Sequence, residues 1–467
     1  MSEREIDVHP ASFRDPSGFI FFTEGKMYRQ VNKIYREHYD MLMNSGLYAT
    51  LTGKELLVAH SETDVPGANS ETSYKVLAPE IIPFISYPYE WCFGMLKEAA
   101  LLTLRIAREA LAHDMVLKDA SPYNVQWKHN RMVFIDTLSF EKYIPGTPWV
   151  AYRQFCECFL APLLLMHHRK VSLHEWQLAY PAGIPLAIAK KFLPWKSRLS
   201  ILTYLHIHLH GKIASKHAIE KDRKAVLPKE KLHRLIKSLD LLVSSLKMDN
   251  RSTTWGSYYN EAALREDYLE QKKKIIEGWL NKLPDCKTGI DLGANDGSFS
   301  ALLASKGIAT VAVDGDPAAI ADLYAKTRSG VSAPVVPLII NLADPSPARG
   351  VNNRECAAFL ERANNRDIGL CLALVHHLRI SHHMSFEQMT QLFKTLCKNL
   401  IIEFVPLQDE KVQEMLALRK ESFEDYTQEN FEAALGKHFS ILEKQVVAGT
   451  GRILYLLTRE SSATDPK

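Results

Sequence analysis

From Cys286 to about Glu460 short apolar runs alternate with amphipathic segments, the rhythm of strand–helix–strand units. The runs predict strands over 289–292, 309–314, 335–340, 368–375, 400–405, 439–447 and 452–458. Helical patterns fall between most of them, over 298–306, 317–326, 356–364, 386–398 and 410–419. Right-handed crossovers turn such alternation into a parallel sheet, and the last two strands, with no helix between them, close it as an antiparallel hairpin. The fold class expected is therefore α/β, with a seven-stranded, doubly wound, Rossmann-like sheet. Residues 1–210 have another texture, rich in aromatics and irregular turns such as PGTPW and FISYPYEW, and predict an α+β module. Between them, 211–285 is polar and helical, with charge runs EKDRK, PKEKLHR and LEQKKK, and predicts a connector. Three regions agree with a chain of 467 residues at about 150 residues per domain.

Composition narrows the function classes. Lys plus Arg number 57 against 54 Asp plus Glu, a net charge of +3, so no global field favours a nucleic-acid partner. The longest near-continuous apolar run, 159–166, is far below the roughly 18 residues that span a bilayer, and MSEREIDVHP offers no apolar leader. The seven cysteines are sparse and sit in apolar runs, and Cys156 and Cys158 are too close for a zinc knuckle. A cytoplasmic protein without a membrane span is expected; the oligomeric state cannot be read.

The sharpest motif is Ile-Asp-Leu-Gly-Ala-Asn-Asp-Gly-Ser, which places Asp291, Gly293, Asn295 and Gly297 between the first strand and first helix. Glycine is needed where backbone turns sharply and approaches a ligand. Asp314, about 20 residues on, closes the next strand, where a carboxylate accepts the hydroxyl hydrogens of a ribose. The spacing departs from G-x-G-x-x-G, and the charges of Asp291 and Asp296 are expected to repel a pyrophosphate. A cationic, phosphate-free nucleoside fits better. On these residues the region 286–460 resembles the class I S-adenosylmethionine (SAM)-dependent methyltransferases. The resemblance implies SAM as cofactor, its methionine part held by Asp291, Gly293, Asn295 and Gly297, its ribose by Asp314, and its adenine near Asn341 and Leu342. It also places His376, His377 and Glu403 at the rim where substrate or a catalytic group lies. One histidine could act as a base if its pKa stays near working pH.

In the first region, LKDASPYNV and MVFIDT give D-x-x-x-x-N followed by a β-run ending in Asp136. This resembles kinase-like phosphotransferases, and implies Asp119 as base, with Asn124 and Asp136 holding Mg²⁺ of an ATP complex. No glycine-rich phosphate loop is present; the hairpin FIFFTEGKMYRQV carries only Gly25, and Lys54 and Lys75 are merely available as phosphate lysines. HIHLH (His206, His208, His210) reads as helix, which splays alternate residues apart, and Trp255, Tyr258 and Tyr259 could close over SAM. Taken whole, IIPFISYPYEWCF, LKDASPYNVQ, IDTLSF and IIEFVP resemble bacterial SAM-dependent methyltransferases, some labelled host-specific nodulation proteins. The expected chemistry is methyl transfer to oxygen or nitrogen of a small molecule or glycan. The alternatives are a bifunctional kinase–methyltransferase and a catalytically silent SAM-binding scaffold.

Overall fold

The computed structural model describes residues 5–209, 228–248, 266–328, 330, 334–417 and 419–460. His210, Trp255, Tyr258 and Tyr259 lie outside the described residues. The chain divides into two compact units, residues 1–249 with 348–356, and 250–347 with 357–467. The expected boundaries at 210 and 285 therefore shift. The connector is no domain of its own, because its two described helices go to different units.

The first unit carries a five-stranded antiparallel sheet of β1 (Asp7–Val8), β2 (Gly18–Thr23), β3 (Lys26–Asn32), β4 (His60–Thr63) and β5 (Ser73–Pro79), ordered β1-β2-β3-β5-β4. Helix α1 (Phe93–Ala112) is its long central helix. Four alanines, Ala99, Ala100, Ala107 and Ala110, are buried along it, so neighbours approach it closely on more than one side. Helix α2 (Lys229–Ser245) packs on α1, and Lys97 Nζ donates to the terminal carbonyls of Ser244 and Leu246 at 2.8 and 2.7 Å. Beyond α1 a short strand, Met115–Leu117, leads into the D-x-x-x-x-N loop, and a hairpin follows, Val125–Lys128 with Arg131–Phe134. His129 and Asn130 turn that hairpin with φ of 47° and 60°, a two-residue turn matched to strand twist. The loop and the hairpin's end bring Asp119, Asn124 and Asp136 to one place.

The second unit opens with helix α3 (Glu266–Leu280) and contains the seven-stranded sheet. Its strands are β6 (Thr288–Leu292), β7 (Ala309–Asp314), β8 (Val335–Ile339), β9 (Arg366–Cys371), β10 (Cys397–Phe404), β11 (Phe439–Val446) and β12 (Ile453–Arg459). They run in the order β8-β7-β6-β9-β10-β12-β11. All pairs from β8 to β10 are parallel, and β12 is antiparallel to both its neighbours. The parallel strands read as unbroken apolar runs because helices cover both faces; every residue of β8 is buried. β11 is instead an edge strand, half polar, bulged between Ile441 and Glu443, which discourages pairing with another chain. Strand order reverses between β6 and β9, so the loops leaving their carboxyl ends part and leave a crevice. Helices α4 (Ser298–Ser305), α5 (Pro317–Arg328) and α6 (Phe386–Leu396) match the expected stretches within two residues at each end.

One expected helix, 356–364, shortens to Phe359–Arg362, because residues 348–356 belong to the first unit. There Arg349 donates to the carbonyls of Gln177 and Leu178 and lies over the Tyr89 ring, while Glu355 takes a two-point ion pair from Arg14 at 2.7 and 3.2 Å.

Candidate cofactor crevice

The loop after β6 is built on residues with positive φ: Gly293 at 73°, Asn295 at 45° and Gly297 at 79°. The N–H groups of Gly293 and Ala294 both donate to the Val313 carbonyl at 2.9 Å, which ties the loop to the end of β7. Asp314 sits at that end. Its Oδ2 accepts the Asn295 N–H at 3.0 Å and its Oδ1 the Asp316 N–H at 2.8 Å. Each oxygen keeps a further lone pair, which is what a ribose diol needs. Burial lifts this carboxyl above its ordinary range.

A β-carbon at position 297 would stand 2.1 Å from Leu323 Cδ1, in a backbone conformation that L-residues resist. Gly297→Ala is expected to lower stability by about 2–4 kcal/mol, from strain plus overpacking, read as a lower urea midpoint.

The negative charge expected at this loop is partly offset by its neighbours. Asp291 is buried, accepts from the Ser300 hydroxyl at 2.6 Å, and is pushed up to about 6 by desolvation. Asp296 takes the Ser298 N–H and hydroxyl and an ion pair from Lys326 at 2.8 Å. At about 6, Asp291 is still mostly ionised near neutral pH, so the loop continues to disfavour a pyrophosphate, with Lys326 offsetting Asp296 alone. Asn341 is exposed, and its Oδ1 accepts the Ala343 N–H at 3.0 Å; one lone pair of that oxygen goes to its own turn. Leu342 beside it is buried.

His376 and His377 follow β9, their ring centroids 4.1 Å apart. His376 is wholly buried, and neither ring nitrogen has a hydrogen-bond partner among the described residues. Burial, then the charges of His377, Arg452 and Lys272, holds it well below the ordinary imidazole value. Burial likewise lowers His377 to about 4. Both rings are neutral at working pH, so the premise of a base poised near pH 7 does not hold. His376 is thus a buried, neutral ring whose two nitrogens have no partner among the described residues.

Glu403 does not reach an open rim. It is fully buried, and its oxygens accept from Tyr268 OH at 2.6 Å and Lys272 Nζ at 2.5 Å. Arg452, also buried, donates to Tyr268 OH at 3.0 Å and grips Asp409 at two points, 2.8 and 3.1 Å. Burial works to raise Glu403, but Lys272 and Arg452 prevail and keep it below the usual carboxylate range. The network joins α3 to the ends of β10 and β12. Lys272 stands on the buried face of α3 with Tyr268, Ile276 and Trp279, at helical spacing.

In the first unit, Asp119, Asn124 and Asp136 do converge, but with different partners from those implied. Asp136 accepts from the guanidinium of Arg29 on β3, the Ser139 hydroxyl and, at 3.1 Å, the Leu138 N–H. Burial would raise Asp136, yet the Arg29 charge keeps it low. Asn124 Nδ2 donates to Ser139 at 3.3 Å, and Asp119 takes the Ser121 N–H at 2.9 Å. Lys118 is held by Asp15 and Ser17, Lys54 by Glu109 and Lys75 by Glu62. As folded, the carboxylate implied for Mg²⁺ is paired with the Arg29 guanidinium instead, so the donor set differs from the one the resemblance implies. Among the described residues no group of three His, Cys, Asp or Glu side chains is arranged for a metal. His206 and His208 are buried in a helical turn, Tyr204–Leu209, bonded to Tyr152, Ser238 and Ser197.

No family model matches the chain. Solved structures with some likeness include a magnesium protoporphyrin IX methyltransferase from Synechocystis PCC 6803 with bound SAH (17% identity, 41% of this chain, 84% of that one, TM-score 0.31). Others are the N-methyltransferase NodS from Bradyrhizobium japonicum WM9 (13%, 42% and 98%, TM-score 0.30) and the bifunctional kinase-methyltransferase WbdD (14%, 47% and 45%, TM-score 0.28). Scores this low establish no shared fold. A curated relative is far nearer: nodulation protein NoeA of Rhizobium meliloti (strain 1021) is 30% identical over 456 residues, 96% of this chain and 95% of that protein. With that identity across nearly the full length of both sequences, the chain belongs to the family of nodulation protein NoeA.

Proposed function

We propose that the second unit binds SAM and transfers its methyl group to oxygen or nitrogen of a small molecule or glycan. One observation carries this reading. At the reversal of strand order, a positive-φ loop after β6 and the Asp314 carboxylate after β7 are hydrogen-bonded into one crevice edge. That edge suits a ligand with a ribose and a cationic amino-acid part. Asp314 offers the diol lone pairs, and the Gly293–Gly297 loop lets backbone approach. Asn341 and Leu342 border the adenine side, and His376 presents open nitrogens after β9. The bound cofactor would supply an electrophilic methyl group. Since both histidines are held neutral and weakly basic, the protein's contribution is alignment and exclusion of water rather than strong proton abstraction. Methyl transfer between aligned partners is well served by that. The phosphotransfer alternative gains nothing from the Arg29–Asp136 pair.

The test has two steps. Calorimetry on the full chain should show SAM binding in the micromolar range, on the order of −8 kcal/mol. Metabolites from a deletion strain and its parent should then differ by one methylene in a single class of compound. Well-folded protein that binds no SAM would overturn the reading.

A further inference from the structure

Residues 192–209 present a surface that neither the crevice nor the core uses. Helix Leu186–Phe192 ends there, followed by the short helical turns Trp195–Leu199, Ile201–Thr203 and Tyr204–Leu209. Their inner side is fixed. Leu193, Ser197, Thr203 and Ile207 are buried, and the Ser197 hydroxyl lies 2.7 Å from the Pro194 carbonyl and 2.9 Å from His208 Nε2. The outer side is apolar and open to water: Trp195 is 67% exposed, Leu199 72% and Ile201 75%, flanked by Phe192 and Leu205. Scattered exposed apolar residues need no explanation, but several within one short segment, over a buried inner side, do.

Charge gives the second observation. No Asp or Glu occurs between Glu175 and Glu220, while Lys190, Lys191, Lys196 and Arg198 lie among the apolar residues. Among the described residues none of these cations enters an ion pair. A second copy is a poor occupant, because a two-fold contact would set this positive patch against itself. An indole and aliphatic side chains ringed by unpaired cations suit the boundary of an anionic bilayer, where acyl chains take the former and head groups the latter. No helix among the described residues is long and apolar enough to cross a membrane, so such a contact would lie on the surface.

We propose that residues 190–205 form a docking ledge for an anionic lipid surface. The full chain should co-sediment with vesicles of phosphatidylcholine mixed with phosphatidylglycerol, not with phosphatidylcholine alone, and less so in high salt. Trp195→Ser with Ile201→Ser should abolish sedimentation. Lys191→Ala with Lys196→Ala should weaken it about 25-fold, near fivefold per charge. The unfolding midpoints of both variants should stay within a few degrees of the parent, separating lost docking from lost folding. A folded parent that ignores phosphatidylglycerol overturns the proposal. So does a concentration-dependent dimer that Ile201→Ser dissolves, which would assign the ledge to a second copy, or an acidic polypeptide that, with no vesicles present, binds the protein as tightly as the vesicles do and loses that binding in the Trp195→Ser, Ile201→Ser variant.

Discussion

Lys272→Met is expected to cost about 3–5 kcal/mol of folding stability, because it strands the Glu403 carboxylate in the core. Lys272 and Glu403 have side chains 1% and 0% exposed and lie 2.5 Å apart, so water cannot replace the lost partner. Arg452, 3.9 Å from Glu403, compensates only in part, because its edges are engaged by Asp409 and Tyr268. The pH dependence should change with it. In the parent, the folded Glu403 lies below its usual range. Its contribution is therefore present above the unfolded value of about 4.3, and is lost as pH falls through the lower folded one. Without Lys272, burial dominates and Glu403 rises, so the variant's deficit should be largest near neutrality and shrink in acid. Urea unfolding of parent and variant from acid to neutral pH measures this. Lys272→Met with Glu403→Leu should recover most of the loss, since neither charge of the pair is then left without its partner and Arg452 keeps Asp409. A single-variant cost below about 1 kcal/mol would mean the pair is solvated.

Asp314→Ala is expected to weaken SAM binding by about 1.5–3 kcal/mol, roughly 10- to 150-fold in Kd. The lost groups are the two carboxylate oxygens that would face the ribose. They also hold the Asn295 and Asp316 N–H groups, so part of the loss reflects a looser loop. Asp314→Asn separates the parts. It retains one acceptor and should fall between parent and Ala. Calorimetry on each, with unfolding curves to verify the fold, gives the comparison. Unchanged affinity in Asp314→Ala would remove the ribose from this carboxylate.

The parallel strands were legible because a strand covered on both faces must be apolar throughout, and 309–314 coincides with the observed β7. The crevice loop was legible because positive φ demands glycine or asparagine at 293, 295 and 297. The buried network was not. Lys272 sits in LEQKKK, which reads as a solvated charge run. Its signal was periodic: it falls on the stripe of Tyr268, Ile276 and Trp279, where a lone charge demands a partner from elsewhere. Helix Gln428–Leu435 escaped too, though Thr427 caps it by accepting the Asn430 N–H. Arg29 in its hairpin gave no sign of Asp136, 107 residues away, because only the folded chain joins them.

Residues 348–356 carry a consequence for inheritance. The first unit ends near residue 249 yet includes a stretch encoded almost a hundred residues later, between two strands of the other sheet. A gene broken at a single point therefore cannot yield both units whole. A transcript stopping at 249 omits the partners of Arg14 and Tyr89, and one starting at 250 encodes them without anything to grip. Fusion or fission at one junction would thus part the first unit from residues 348–356.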